Sequence, residues 1–106
     1  MTGYKEIDAT TLFEMIANEP LTLVDVRNDD EVARGIIPGA LHIQLAMIPV
    51  KHDVLDKQKS LVFYCHSGIR SGQASAFLAS KGYKNVYNLQ GGILAWGRAG
   101  YSFVPK

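Results

Sequence analysis

The chain has 106 residues, 47% hydrophobic and 20% charged, with a net charge of +1. That size and balance fit one globular domain spanning residues 1–106, able to bury about two thirds of its unfolded surface. One cysteine excludes an internal disulfide and an intramolecular dithiol cycle, and no apolar run approaches a membrane span.

Met1-Thr2-Gly3-Tyr4-Lys5-Glu6 has no apolar core for a signal peptide, so the expected compartment is the cytoplasm, where a thiol stays reduced. The near-neutral total hides an asymmetry. All ten carboxylates lie at or before Asp56, against four bases, whereas residues 57–106 carry seven bases and no acid. Either an anion bound in the second half meets no carboxylate, or the halves interleave and their fields partly cancel. The sequence favours neither. The seven bases are scattered, so no nucleic acid partner is expected.

Tyr4 to Ile7 reads as a short first strand. Asp8 is a good N-cap for a helix to Asn18, with Leu12, Met15 and Ile16 as its buried stripe and Phe13 widening it. Pro20 ends that helix by disfavouring helical backbone at Glu19. Leu21 to Val26 is apolar on both faces, as a central parallel strand requires, except for Asp25. A buried carboxylate there needs a partner. A loop N–H or a nearby arginine is favoured over a general-base role, because a thiolate offers no proton for Asp25 to take. Arg27 falls on the same side, where it could pair with Glu31 or line a site, and the structural role is favoured.

Asn28-Asp29-Asp30-Glu31 places acids at the start of a short helix reaching Arg34. A loop from Gly35 to Gly39 leads to a strand around Leu41-His42-Ile43, and Ala46 to Leu55 is weakly helical, with Pro49 in the first turn. His42 and His52 have no cysteine or carboxylate at ligand spacing, so neither a metal nor another cofactor is expected.

Leu61-Val62-Phe63-Tyr64 is a buried strand, and at its end stands Cys65. From Gly68 a helix with Ala74, Phe77 and Leu78 on one face runs until Gly82. A strand-to-helix loop turns unpaired N–H groups and a positive dipole end toward its mouth, so a thiol placed there has a lowered pKa and ionises near neutrality. An inert buried cysteine is the competing reading. The polar and permissive His66-Ser67-Gly68, with Arg70 close behind, favours a nucleophile in an anion-binding loop. Asn85 to Leu89 is the last strand. Gln90-Gly91-Gly92 then makes a tight turn, favoured over a second anion nest, into a helix whose Trp96 anchors the core. Tyr101 to Val104 is an apolar tail docking back on the body. Strands alternating with helices give an α/β domain with a mainly parallel sheet, whose ligands bind at strand carboxyl ends, where Cys65 falls.

Cys65-x-x-Gly68-x-Arg70-Ser71 after a buried strand resembles the active-site loop of rhodanese-type sulfurtransferases. Leu23-Val24-Asp25-Val26-Arg27, Gly35-Ile36-Ile37-Pro38-Gly39-Ala40 and Gly91-Gly92-Ile93-Leu94-Ala95-Trp96 resemble that family's other landmarks, in order. One departure is Ile36, where the family usually carries a histidine. The resemblance implies a rhodanese-like five-stranded sheet with helices on both faces. It also implies thiosulfate sulfurtransferase chemistry: Cys65 takes the outer sulfur of a small anionic donor such as thiosulfate as a persulfide. The amides of His66, Ser67, Gly68, Ile69 and Arg70 hold that sulfur, Arg70 and His66 steer the donor, and cyanide, a thiol or a protein dithiol accepts it.

Two alternatives stand beside this. A persulfide carrier or sensing module would use the same residues with a protein partner. A cysteine-dependent phosphatase or arsenate reductase also places Cys and Arg in an anion-binding loop. Phosphatase loops have five residues between them, against the four of His66-Ser67-Gly68-Ile69.

Overall fold

The computed structural model describes residues 3–106. Met1 and Thr2, which open the segment read as lacking a signal peptide, lie outside the described residues. In chain order come β1 (Lys5–Ile7), α1 (Ala9–Asn18), β2 (Leu21–Asp25), α2 (Asp29–Val32) and β3 (Leu41–His42). Then follow α3 (Ile48–Lys51), β4 (Ser60–Tyr64), α4 (Ile69–Ser80), β5 (Val86–Leu89) and α5 (Gly92–Arg98). The five strands form one parallel sheet ordered β1-β5-β4-β2-β3, as the alternation of strands and helices predicts.

Strand β4 is central, with Val62 opposite Leu23 on one side and Tyr87 on the other. Its pleat divides the core in two. Leu61, Phe63 and Cys65 share one cluster with Ala74 and Leu78 of α4 and Ile48 of α3. Val62 and Tyr64 join the other, with Ala9 and Leu12 of α1 and Ile93 and Trp96 of α5. Successive side chains of a strand point to opposite faces, so the register that buries β4 twice also delivers Cys65 to the α4 side.

The predicted elements stand, with local differences. Asp8 caps α1 by accepting the Thr11 N–H at 2.8 Å. Its stripe is rotated from the expected one: Ala9 and Leu12 are buried and Met15 packs against them, but Phe13 is 49% and Ile16 40% exposed. The reason is tertiary. The tail reaches the flank of α1, where Phe13 stacks on Tyr101 with ring centroids 4.2 Å apart, so that flank faces a thin aromatic layer instead of the sheet. Helix α2 stops at Val32, two residues before Arg34, because its end tightens: Arg34 and Gly35 donate to carbonyls only three residues back. The stretch from Ala46 to Leu55 is a series of single turns, with Pro49 in the first turn of α3 as expected.

The tail docks as predicted. Val104 forms an antiparallel bridge with Ile36, and Trp96 Nε1 donates to the Ser102 carbonyl at 2.9 Å. Ile36 thus serves the fold, buried beside the tail. Among the described residues no helix is long and apolar enough to cross a membrane.

Candidate functional site

Cys65 leaves the carboxyl end of β4 with 1% of its surface exposed. Its Sγ accepts the Gly68 N–H at 3.1 Å and the Ser71 hydroxyl at 3.4 Å. Gly68 stands at the mouth of α4 with φ of +104°, which L side chains rarely adopt, and a Cβ there would lie 3.3 Å from the Gly91 nitrogen. Ser71 is wholly buried in the first turn of α4, and its carbonyl accepts the Ser75 hydroxyl at 2.8 Å. Burial pushes the Cys65 thiol up. The Ser71 hydroxyl and the N–H groups of Ser71, Gly68 and Ser67 outweigh it, so the pKa settles below the ordinary thiol value.

What turns those amides toward sulfur is the way the loop's carbonyls are tied down elsewhere. The first free N–H groups of α5 take two of them: Ile93 donates to the Cys65 carbonyl at 2.9 Å and Leu94 to the His66 carbonyl at 3.3 Å. Asn88, buried at the end of β5, donates to the Gly68 carbonyl at 3.0 Å. With its oxygens held outside, the loop presents nitrogens inside. Gly91-Gly92 makes the tight turn expected of it and does more, since at Gly92 any side chain would collide with the Cys65 and His66 carbonyls. The Ile93 and Leu94 amides at the start of α5 are spent on gripping the Cys65 loop.

Charges converge here from both halves of the chain. Asp25 is fully buried, and the favoured pairing holds in both its forms: its carboxylate accepts the Arg27 backbone N–H at 2.9 Å and the Arg27 guanidinium at 2.7 Å. Arg27 also donates to the Gly35 carbonyl at 2.8 Å, pinning the loop after α2. Glu31 is not its partner. That carboxylate grips Arg70 through two hydrogen bonds of 2.7 and 2.9 Å and accepts the Asn28 N–H, which brings it down to about 2, with Arg70 the largest cause. The pair settles the charge question in favour of interleaving, because an acid of the first half sits on the arginine of the Cys65 loop.

A groove of about 670 Å³ opens over the loop, lined by His66, Ser67 and Arg70 on one side and by Arg27, Arg34 and Arg98 around it. Of the residues singled out in sequence, the structure brings His66, Ser67, Gly68 and Arg70 to this site. Ile69 is different: its side chain is 73% exposed and absent from the groove wall. The amides trained on sulfur belong to Ser67, Gly68 and Ser71. Ser71 closes the sequence motif but received no role there. A polar residue on the inner face of a helix starting at a cysteine was the available signal.

Residues 8–99 match the Rhodanese-like domain family. The chain belongs to that family. It is 44% identical over 100 residues to a sulfurtransferase of Allochromatium vinosum, covering 93% of this chain and 94% of the relative. A thiosulfate sulfurtransferase, GlpE, of Coxiella burnetii is 32% identical over 93 residues, covering 88% and 87% respectively. A rhodanese-related protein from Thermoplasma volcanium superposes with a TM-score of 0.88 at 32% identity, covering 97% of this chain and all of that one. Sulfur transfer is the general activity that these relatives support for this rhodanese-like domain.

In this rhodanese-like loop, Ser71→Ala removes the hydroxyl donor and leaves the backbone donors. The inflection in Cys65 alkylation rate against pH is expected to move up, with slower alkylation at pH 7. An unmoved inflection would show that the backbone alone sets the thiolate.

Proposed function

We propose that the protein is a sulfurtransferase that carries a sulfane sulfur from thiosulfate, or a donor like it, to a thiophilic acceptor through a persulfide on Cys65. The observation that carries this reading is the Cys65 sulfur itself: buried, accepting the Gly68 N–H and the Ser71 hydroxyl, with a pKa lowered against the effect of burial.

The Cys65 thiolate attacks the outer sulfur of thiosulfate. A new S–S bond forms, the old one breaks, and its electron pair leaves with sulfite. The outer sulfur of the persulfide carries the negative charge, stabilised by donors already in place around the loop. An acceptor nucleophile then attacks that outer sulfur, and Cys65 leaves as the thiolate that began the cycle. No proton needs to move at the sulfur, so Asp25 can remain committed to Arg27. Two half-reactions sharing one covalent intermediate give ping-pong kinetics.

The loop has four residues between Cys65 and Arg70, and its donors converge on one sulfur atom. Purified protein should release sulfite from thiosulfate in the presence of cyanide and leave aryl phosphates intact. Faster hydrolysis of aryl phosphate than release of sulfite would replace this reading with the phosphatase one.

A further inference from the structure

Gly68 gives its N–H to the Cys65 sulfur at 3.1 Å, yet it has no side chain by which it could be held. Its backbone, at φ of +104°, lies where glycine alone moves freely, so its peptide groups must be oriented from outside. Two donors reach its carbonyl. One is the Gly72 N–H at 3.1 Å, the bond that any α-helix would supply, and the other is the Asn88 side-chain amide at 3.0 Å. That amide is itself anchored. Asn88 lies opposite Glu6 in the register of β1 and β5, and its Nδ2 donates to both Glu6 carboxylate oxygens, at 3.0 and 3.1 Å.

This orientation has a cost. With its Nδ2 hydrogens engaged, Asn88 leaves Oδ1 buried and without a hydrogen-bond partner among the described residues. Turning the amide over would be worse, because Oδ1 would then face a carboxylate and a carbonyl. A buried oxygen without a partner is destabilising. Leucine has nearly the same shape and would fill the space without that cost. What leucine lacks is a donor for the Gly68 carbonyl.

We infer that Asn88 is a positioning residue for sulfur transfer. Anchored on β1 by the charge-assisted bond to Glu6, it fixes the Gly68 backbone so that the N–H stays aimed at the Cys65 sulfur. The inference rests on Cys65 being the nucleophile of the reaction proposed above. Asn88 touches no reacting atom and acts through Gly68.

Asn88→Leu separates positioning from packing. The urea midpoint should stay near that of the wild type, since the orphaned oxygen is gone and the exposed Glu6 carboxylate returns to water. Alkylation of Cys65 by iodoacetamide at pH 7 should slow about three- to tenfold, and the inflection of its pH–rate profile should move up, because the thiolate loses part of a donor. Loading of sulfur from thiosulfate, followed by intact mass, should slow with it. In Asn88→Asp/Glu6→Gln the new side-chain amide donates to the new carboxylate, so the tie between β1 and β5 returns. A carboxylate still has no hydrogen for the Gly68 carbonyl, so slow alkylation should persist at a restored urea midpoint.

Wild-type alkylation rate and inflection in Asn88→Leu would overturn the inference. Recovery of the rate in Asn88→Asp/Glu6→Gln would do the same, because Asn88 would then be only a tie between strands. If Asn88→Leu does not fold, the double variant decides between these outcomes by itself. A wild-type protein that takes no sulfur from thiosulfate would sink the sulfurtransferase reading and the part of Asn88 in it. Normal wild-type loading that Asn88→Leu leaves unchanged would overturn this inference alone.

Discussion

Cys65→Ser is expected to bring sulfite release from thiosulfate down to the uncatalysed level, a loss of at least about 10³-fold, while the protein stays folded. In the proposed mechanism the whole effect lies in the nucleophile. A serine hydroxyl stays protonated under the same donors that bring the Cys65 thiol below its ordinary value, and it has little affinity for sulfane sulfur. The structural cost is small, since serine is slightly smaller than cysteine and can keep the hydrogen bonds from Gly68 and Ser71. A change in stability within about 1 kcal/mol is expected, read from the urea midpoint at constant slope. Full activity in a folded Cys65→Ser protein would remove Cys65 from the chemistry.

Gly92→Ala carries the next largest effect, although Gly92 touches no substrate. A Cβ on Gly92 would lie 2.5 Å from the Cys65 carbonyl oxygen and closer still to that of His66, with the backbone at φ of +60°. Rigid backbone stands on both sides, so the N-terminus of α5 must retreat. The hydrogen bonds from Ile93 and Leu94 to the loop then lengthen or break. Their loss, together with left-handed backbone at a non-glycine residue, costs about 2–4 kcal/mol. The urea midpoint should drop accordingly. In the fraction that stays folded, sulfur transfer should fall and Cys65 alkylation at pH 7 should slow, because the loop amides lose the constraint that points them at sulfur. A variant with unchanged stability and alkylation would show that α5 does not hold the loop.

These two positions mark what the sequence alone makes legible. Cys65 was legible because its signal is local: an apolar strand stops, a permissive glycine follows within three residues, and a helical pattern begins. Asp25 was legible because a carboxylate in a run apolar on both faces must find a partner, and the chain itself offered a loop N–H and Arg27. Gly92 was half legible. The sequence showed a turn, but the carbonyls that forbid a side chain there lie 26 and 27 residues earlier.

The pairing of Arg70 with Glu31 was not legible. It depends on β2 lying beside β4 in the sheet, which sets the loop after β2 next to the loop after β4. For the same reason the split of acids and bases along the chain did not survive as a split in space. The misplaced edge of the α1 stripe has a related origin, since Ile16 follows the helical period but the docked tail and α5 decide which flank is covered. Periodicity fixes a face, and tertiary neighbours fix its width.

The intact mass of the purified protein after incubation with thiosulfate reads persulfide formation on Cys65 directly. A gain of one sulfur atom is expected, mapped by peptide fragmentation to Cys65, absent in Cys65→Ser and fully reversed by cyanide or an added thiol. A protein that releases sulfite from thiosulfate without ever carrying the extra sulfur on Cys65, or one that carries it and cannot give it up, would contradict transfer through a Cys65 persulfide.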